Sequence, residues 1–140
     1  MSRIFWDTNL FIYLFEDNPE LSQRVVDLRQ RMHERGDTLF TSTLTLGEVL
    51  VKPLEVGDEA LARQYRDAIT ATATVLPFTI GAAQTYAEIR RDRSLRAPDA
   101  IQLACAAEAK IDLFITNDER LSRKNVAGVQ FVQSVRQAFL

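Results

Sequence analysis

Four carboxylates stand where the local sequence has little use for them. Asp7 ends the apolar run Ile4-Phe5-Trp6, and Glu48 is the lone acid of the stretch from Leu44 to Val51. Asp99 heads an alanine-rich segment, and Asp118 follows Leu113-Phe114-Ile115-Thr116-Asn117. Taking a lone carboxylate out of water is costly. Each acid has a local explanation: Asp7 and Asp118 as helix N-caps, Asp99 at the positive end of a helix dipole, Glu48 paired with an arginine. Together they suggest more, because two end strands and two belong to helices able to flank the same sheet edge. At ~5 Å and an effective dielectric near 20, each carboxylate pair repels by roughly 3 kcal/mol, and six pairs by roughly 20 kcal/mol before screening. Such a cluster persists only by binding protons or cations. All-oxygen ligation suits a hard ion, Mg²⁺ or Mn²⁺. The chemistry that fits is phosphodiester hydrolysis, with the ion polarising the phosphate and lowering the pKa of an attacking water.

The elements that must position these acids can be read from pattern. Residues 3–6 and 113–115 are short apolar runs, as expected of strands covered on both faces. Each delivers an acid at its C-terminal end, the edge at which open α/β sheets bind ligands. Further strands are expected at 38–41, 74–77 and 129–132. Helices are expected from Asn9 to Phe15 and from Pro19 to about Arg35, the second stopped by Gly36. The next runs from a Ser42 or Thr43 cap to about Lys52, stopped by Pro53. Three more are expected: residues 59–72, Ile80 to about Arg93 capped by Thr79, and Ala97 to Lys110. A helical turn at 118–122 and a last short helix complete the chain. Alternating strands and helices imply an α/β fold with a central, mostly parallel sheet of about five strands flanked by helices. The helix from Leu10 to Phe15 is apolar on nearly all sides, so its own domain or a partner must cover it.

Bulk properties narrow the field. The 140 residues suit one domain, 1–140, with 46% hydrophobic and 26% charged residues. No apolar run approaches ~18 residues, so no membrane span is expected, and the N-terminus has no signal-peptide pattern. The single cysteine, Cys105, lies among alanines and reads as a small core residue of a protein in a reducing cytoplasm. His33, the only histidine, lies in a polar section and reads as a surface residue rather than a general base. The five glycines are scattered, so a glycine-rich phosphate loop, and with it a kinase or dinucleotide enzyme, is disfavoured. The formal charge of −2 does not announce a nucleic-acid binder, but taking four acids out of that sum leaves +2 on the rest.

The ordered set Asp7-Thr8-Asn9, Thr45-Leu46-Gly47-Glu48-Val49, Arg96-Ala97-Pro98-Asp99-Ala100 and Thr116-Asn117-Asp118 resembles a PIN-domain ribonuclease. It most resembles the toxin subunit of VapBC toxin–antitoxin pairs, over essentially the whole chain. The resemblance implies a single PIN-like domain with strand order 3-2-1-4-5 and a metal site formed by Asp7, Glu48, Asp99 and Asp118. Thr116 matches a hydroxyl position that supports the site, and Asn9 a polar residue that orients the first acid. It also implies an Mg²⁺-dependent endoribonuclease (Mn²⁺ a possible substitute), an antitoxin covering the site near the helix from Leu10 to Phe15, and a homodimer through helical surfaces. Trp6 departs from the small or aliphatic residue common at its position.

An RNA substrate needs positive charge around the acidic centre. Arg90, Arg91, Arg93 and Arg96 precede Asp99, and Arg120, Arg123 and Lys124 follow Asp118. Arg96 is the leading phosphate-contacting candidate; the bland alternative is a set of solvated helix-end cations. Two other function classes remain. One is a non-catalytic PIN-like module that holds RNA or protein. The other is a receiver-type domain with Asp7 as phosphoryl acceptor, although Lys124 comes later than the lysine such a domain expects.

Overall fold

The structure, a computed structural model, describes residues 1–138 and 140. Five strands form one sheet in the order β3-β2-β1-β4-β5, and every neighbouring pair is parallel. The strands are β1 (Arg3–Trp6), β2 (Thr38–Ser42), β3 (Thr74–Leu76), β4 (Leu113–Thr116) and β5 (Phe131–Ser134). Between them run α1 (Thr8–Phe15), α2 (Ser22–Arg35), α3 (Thr43–Glu55), α4 (Glu59–Thr72), α5 (Ile80–Ile89) and α6 (Ala97–Glu108). The order reverses between β1 and β4, which makes their shared C-terminal edge the switch point of the sheet.

Register places the acids. Ile4, Phe5 and Trp6 lie beside Leu113, Phe114 and Ile115, so the residues just beyond, Asp7 and Thr116, emerge together. The Asp7 amide continues the ladder by donating to the Ile115 carbonyl at 3.0 Å. Side chains on β1 alternate between two cores. Ile4 and Trp6 pack with Leu10, Phe11, Val25, Met32, Val49 and Ile69, contributed by α1 to α4. Phe5 packs with Phe114, Leu103 and other buried residues of α5 and α6. The Phe5 and Phe114 rings stack with centroids 4.9 Å apart. With both faces covered, the central strands need no polar alternation, which is why they read as continuous apolar runs. In α1, Leu10 and Phe11 are buried, and the residues from Ile12 to Phe15 are partly buried against the same core. Phe15 stacks on Tyr65 at 4.6 Å, so the domain itself covers most of this apolar helix.

Several boundaries differ from the sequence expectation. α2 starts at Ser22 rather than Pro19, because the Asn18 side chain caps a turn by accepting from the amides of Glu20 and Leu21. α3 continues through Pro53 to Glu55, with Pro53 buried. A proline this near the helix end removes one hydrogen bond, and burial of its ring offsets part of that loss. α5 stops at Ile89, and the basic segment after it is a series of turns. Asp92 accepts from the Ser94 amide and hydroxyl, which bends the chain so that Leu95 enters the core. α6 ends at Glu108, and Lys110 adopts a left-handed conformation with φ 53°. β5 is Phe131–Ser134 rather than 129–132: Val129 is buried but precedes the ladder, whose register pairs Leu113 with Phe131. The helical turn after Asp118 is a single 3-10 turn over Leu121–Arg123. The last short helix is not formed among the described residues: 135–137 are a turn, and Phe139 lies outside the described set. Among the described residues no helix is long and apolar enough to cross a membrane.

Candidate active site

Asp7 is the N-cap of α1, with its side chain accepting from the Thr8 amide at 2.8 Å. The local reading of this acid is therefore correct, and so is its placement at the switch point. Its other oxygen, Oδ2, accepts from the Thr116 hydroxyl at 2.8 Å. Burial pushes the Asp7 carboxyl up from its ordinary 3.8 to about 6. The hydrogen bonds from Thr116 and Thr8 oppose that shift, and the charges of Asp99 and Glu48 add to it. A carboxyl raised by desolvation and like charges in a cleft marks a candidate functional acid.

A cleft of about 260 Å³ gathers the expected residues: Asp7, Asn9, Glu48, Arg96, Asp99 and Asp118 all line it, with Thr8 and Gln102. Glu48 is on the exposed side of α3, and its Oε1 accepts from the Thr8 hydroxyl at 2.6 Å. Asp99, at the start of α6, is 8% exposed and accepts from Arg96 Nε at 3.1 Å. Asp118 accepts from Arg120 Nη2 at 2.9 Å, and that bond holds its carboxyl below the usual range. The Thr116 hydroxyl also accepts from the Asp118 amide at 3.1 Å, linking the two strand-end acids.

Two features depart from the sequence picture. The evenly repelling quartet is not formed: arginines pair with Asp99 and Asp118, and among the described residues no three acids are placed to grip one ion directly. The donor set is still all oxygen. It suits a hydrated hard cation, which keeps most of its waters, better than a dehydrated ion in a protein cage. Asn9 lines the cleft but is exposed and makes no hydrogen bond to Asp7. The residues that hold Asp7 are Thr8, Thr116 and Gln102, whose Nε2 lies 3.4 Å from Asp7 Oδ1. Gln102 was missed in the sequence. The available signal was a lone carboxamide in a largely apolar helix, three residues after Asp99 and so on the same helical face.

Arg96 and Arg120 are both mostly exposed beyond their ion pairs. A second cavity of about 260 Å³ adjoins the cleft, sharing Asp99 and Asp118 and lined also by Arg120, Arg123 and Lys124. Lys124 pairs with Asp92 at 2.9 Å. Arg90 turns over the Tyr86 ring instead. His33 is exposed, and Cys105 is buried with its thiol pushed up to about 11 by burial.

Fold and cleft together define an α/β protein whose acids converge over the switch point of a parallel sheet. A family model for the PIN domain matches residues 4–127, and the chain belongs to that family. Its fold is similar to that of a chain in VapBC2 from Rickettsia felis, solved bound to a DNA fragment from the promoter. That pair has 13% identity and a TM-score of 0.74, over 94% of this chain and 97% of the other. A DNA-bound VapBC from Salmonella typhimurium gives 18% identity and TM-score 0.71, over 96% and 99%. VapBC-5 from Mycobacterium tuberculosis, a member of the VapBC family of toxin–antitoxin systems, gives 20% and 0.64, over 95% and 99%. No curated protein sequence matches significantly.

Proposed function

We propose that this PIN domain is an Mg²⁺-dependent endoribonuclease, acting in the cytoplasm as the toxin of a toxin–antitoxin pair. The observation that carries the reading is Asp7: a largely desolvated carboxylate at the switch point, pushed up to about 6 and sharing its cleft with three further acids. Asp7 and Asp118 would hold a hydrated Mg²⁺ or Mn²⁺ from the strand ends, with Asp99 and Glu48 completing its surroundings. When bound, the ion supplies polarisation of the scissile phosphate and a lowered pKa for water. The chain's own contribution is positional. Thr116 fixes Asp7 and the Asp118 amide at one hydroxyl, and Thr8 fixes Glu48. Arg96 and Arg120 sit with exposed guanidinium groups where RNA phosphates would approach.

The partner reading rests on likeness to chains solved in VapBC complexes. An antitoxin segment would lie over the cleft beside α1, where Ile12, Phe15, Val49, Pro53 and Tyr65 line a small apolar groove next to Glu48. A homodimer through helical surfaces belongs to the same reading. One observation favours the non-catalytic alternative: Arg96 and Arg120 already pair with two of the four acids without a cation. The deciding experiment is purified protein on total RNA with Mg²⁺, Mn²⁺ or EDTA, beside Asp7→Asn. Cleavage that needs the ion and vanishes in the variant is expected. RNA binding without cleavage in any ion would establish the module reading instead.

A further inference from the structure

Gln102 is 1% exposed on α6, surrounded by alanine, leucine and cysteine neighbours in sequence. A carboxamide at such a position must have its polar atoms satisfied, and here they are. Oε1 accepts from the Ser42 hydroxyl, and Nε2 lies 2.6 Å from Thr45 Oγ1, 3.1 Å from Thr8 Oγ1 and 3.4 Å from Asp7 Oδ1. The orientation of the amide follows from its neighbours. An ionised carboxylate only accepts, so the group facing Asp7 must be the nitrogen. Ser42 accepts from the Thr45 amide at 3.4 Å, which leaves its one proton for Gln102 Oε1.

That orientation sets the direction of the whole chain of bonds. Thr8 Oγ1 accepts from Gln102, so its single proton is free to point the other way. It goes to Glu48 Oε1 at 2.6 Å. Thr45, 3.2 Å from Thr8, then donates to Thr8 rather than competing for its proton. We infer that Gln102 is a positioning residue: through Thr8 it presents the otherwise exposed Glu48 carboxylate to the cleft as a fixed acceptor beside Asp7. The hydrogen bonds tie α1, α3 and α6 to the end of β2, so a buried amide sets the aim of a surface acid. The inference rests on the reading of the cleft as a cation site.

The test is Mn²⁺ binding to the full chain, followed by the EPR signal of the free ion, with thermal unfolding recorded for every variant. Gln102→Met and Thr8→Val each remove the directing donor while nearly keeping shape. Both are expected to weaken Mn²⁺ binding about tenfold, the usual order for residues that orient ligands. Thr8→Val should not weaken it further when combined with Glu48→Gln, since both act through one carboxylate, whereas Gln102→Met keeps a smaller loss in that background through its own contact with Asp7. Thr8→Ser, which keeps the hydroxyl, restores binding. Folded Gln102→Met protein with wild-type affinity, or losses of Thr8→Val and Glu48→Gln that multiply, would overturn the inference. Wild-type protein that binds no Mn²⁺ would instead overturn the cation reading, and with it any positioning role. In the metal-free protein, the ¹⁵N–¹H signals of the Gln102 carboxamide should shift in Glu48→Gln and Thr8→Val; unmoved signals count against the bond chain itself.

Discussion

Replacing Asp7 by asparagine should make the metal-free protein more stable, although it removes the central acid of the site. The folded Asp7 carboxyl titrates near 6, against an ordinary value of 3.8. The folded state therefore binds this proton more tightly than the unfolded chain does. Between those two values the folded protein holds more protons than the unfolded one, so stability falls as pH rises. At about 1.4 kcal/mol for each pH unit between the two, the loss is roughly 3 kcal/mol and is complete a little above pH 6. Below pH ~4 the acid is protonated in both states and the penalty disappears. Asparagine carries no charge at any pH. Its oxygen can accept from the Thr8 amide as Asp7 Oδ1 does, and its nitrogen can donate to the Thr116 hydroxyl oxygen in place of Oδ2. In EDTA near neutral pH the variant should thus melt higher than wild type, by on the order of 10 °C for a chain of this size. The two melting curves should converge as the pH approaches ~4. Added Mg²⁺ should raise the melting temperature of the wild type and leave the variant unmoved, because ligand stabilisation requires the site. A variant that melts at or below wild type in EDTA at neutral pH, while folded by circular dichroism, would refute the claim that Asp7 carries a net burial penalty.

Three further outcomes follow from the arginines and the cysteine. Arg96→Ala should weaken RNA binding across sequences and lower the slope of log affinity against log salt by about one; an unchanged slope in filter binding would remove Arg96 from the phosphate-contacting set. Arg120→Ala frees the Asp118 carboxyl, which this guanidinium holds below the usual range. That carboxyl should titrate higher in the variant, and the metal-free variant should take up Mn²⁺ more tightly than wild type; equal affinity would show that the ion pair does not compete with the cation. Cys105 is buried with its thiol pushed up to about 11. It should resist a thiol reagent at mildly alkaline pH until the protein unfolds, and rapid native labelling would contradict its core placement.

What could be read in advance divides along a physical line. Ile4-Phe5-Trp6 and Leu113-Phe114-Ile115 were legible as buried strands because a parallel sheet covered on both faces leaves no polar alternation. Asp7, directly after the first run, and Asp118, three residues after the second, stood out because each lies at the end of such a run. The features that eluded the sequence arise where two distant segments meet. Pro53 continues its helix because its ring is buried, a fact about packing rather than about proline. Arg90 to Arg93 leave their helix because Leu95 must enter the core and Asp92 can bend the chain, so the basic cluster is a set of turns. The charges of Asp99 and Asp118 look unpaired on paper, yet Arg96 and Arg120, three and two residues away, close back on them. Sequence showed those arginines as flanks and could not show them as counter-ions. The same holds for Gln102: a glutamine amid alanines is ambiguous until Thr8, Thr45 and Ser42 arrive from two other helices and a strand end to satisfy it. The acids stand out as a set because each lies in or beside an apolar stretch, whereas the arrangement that decides what they can do is a property of contacts between segments up to 109 positions apart.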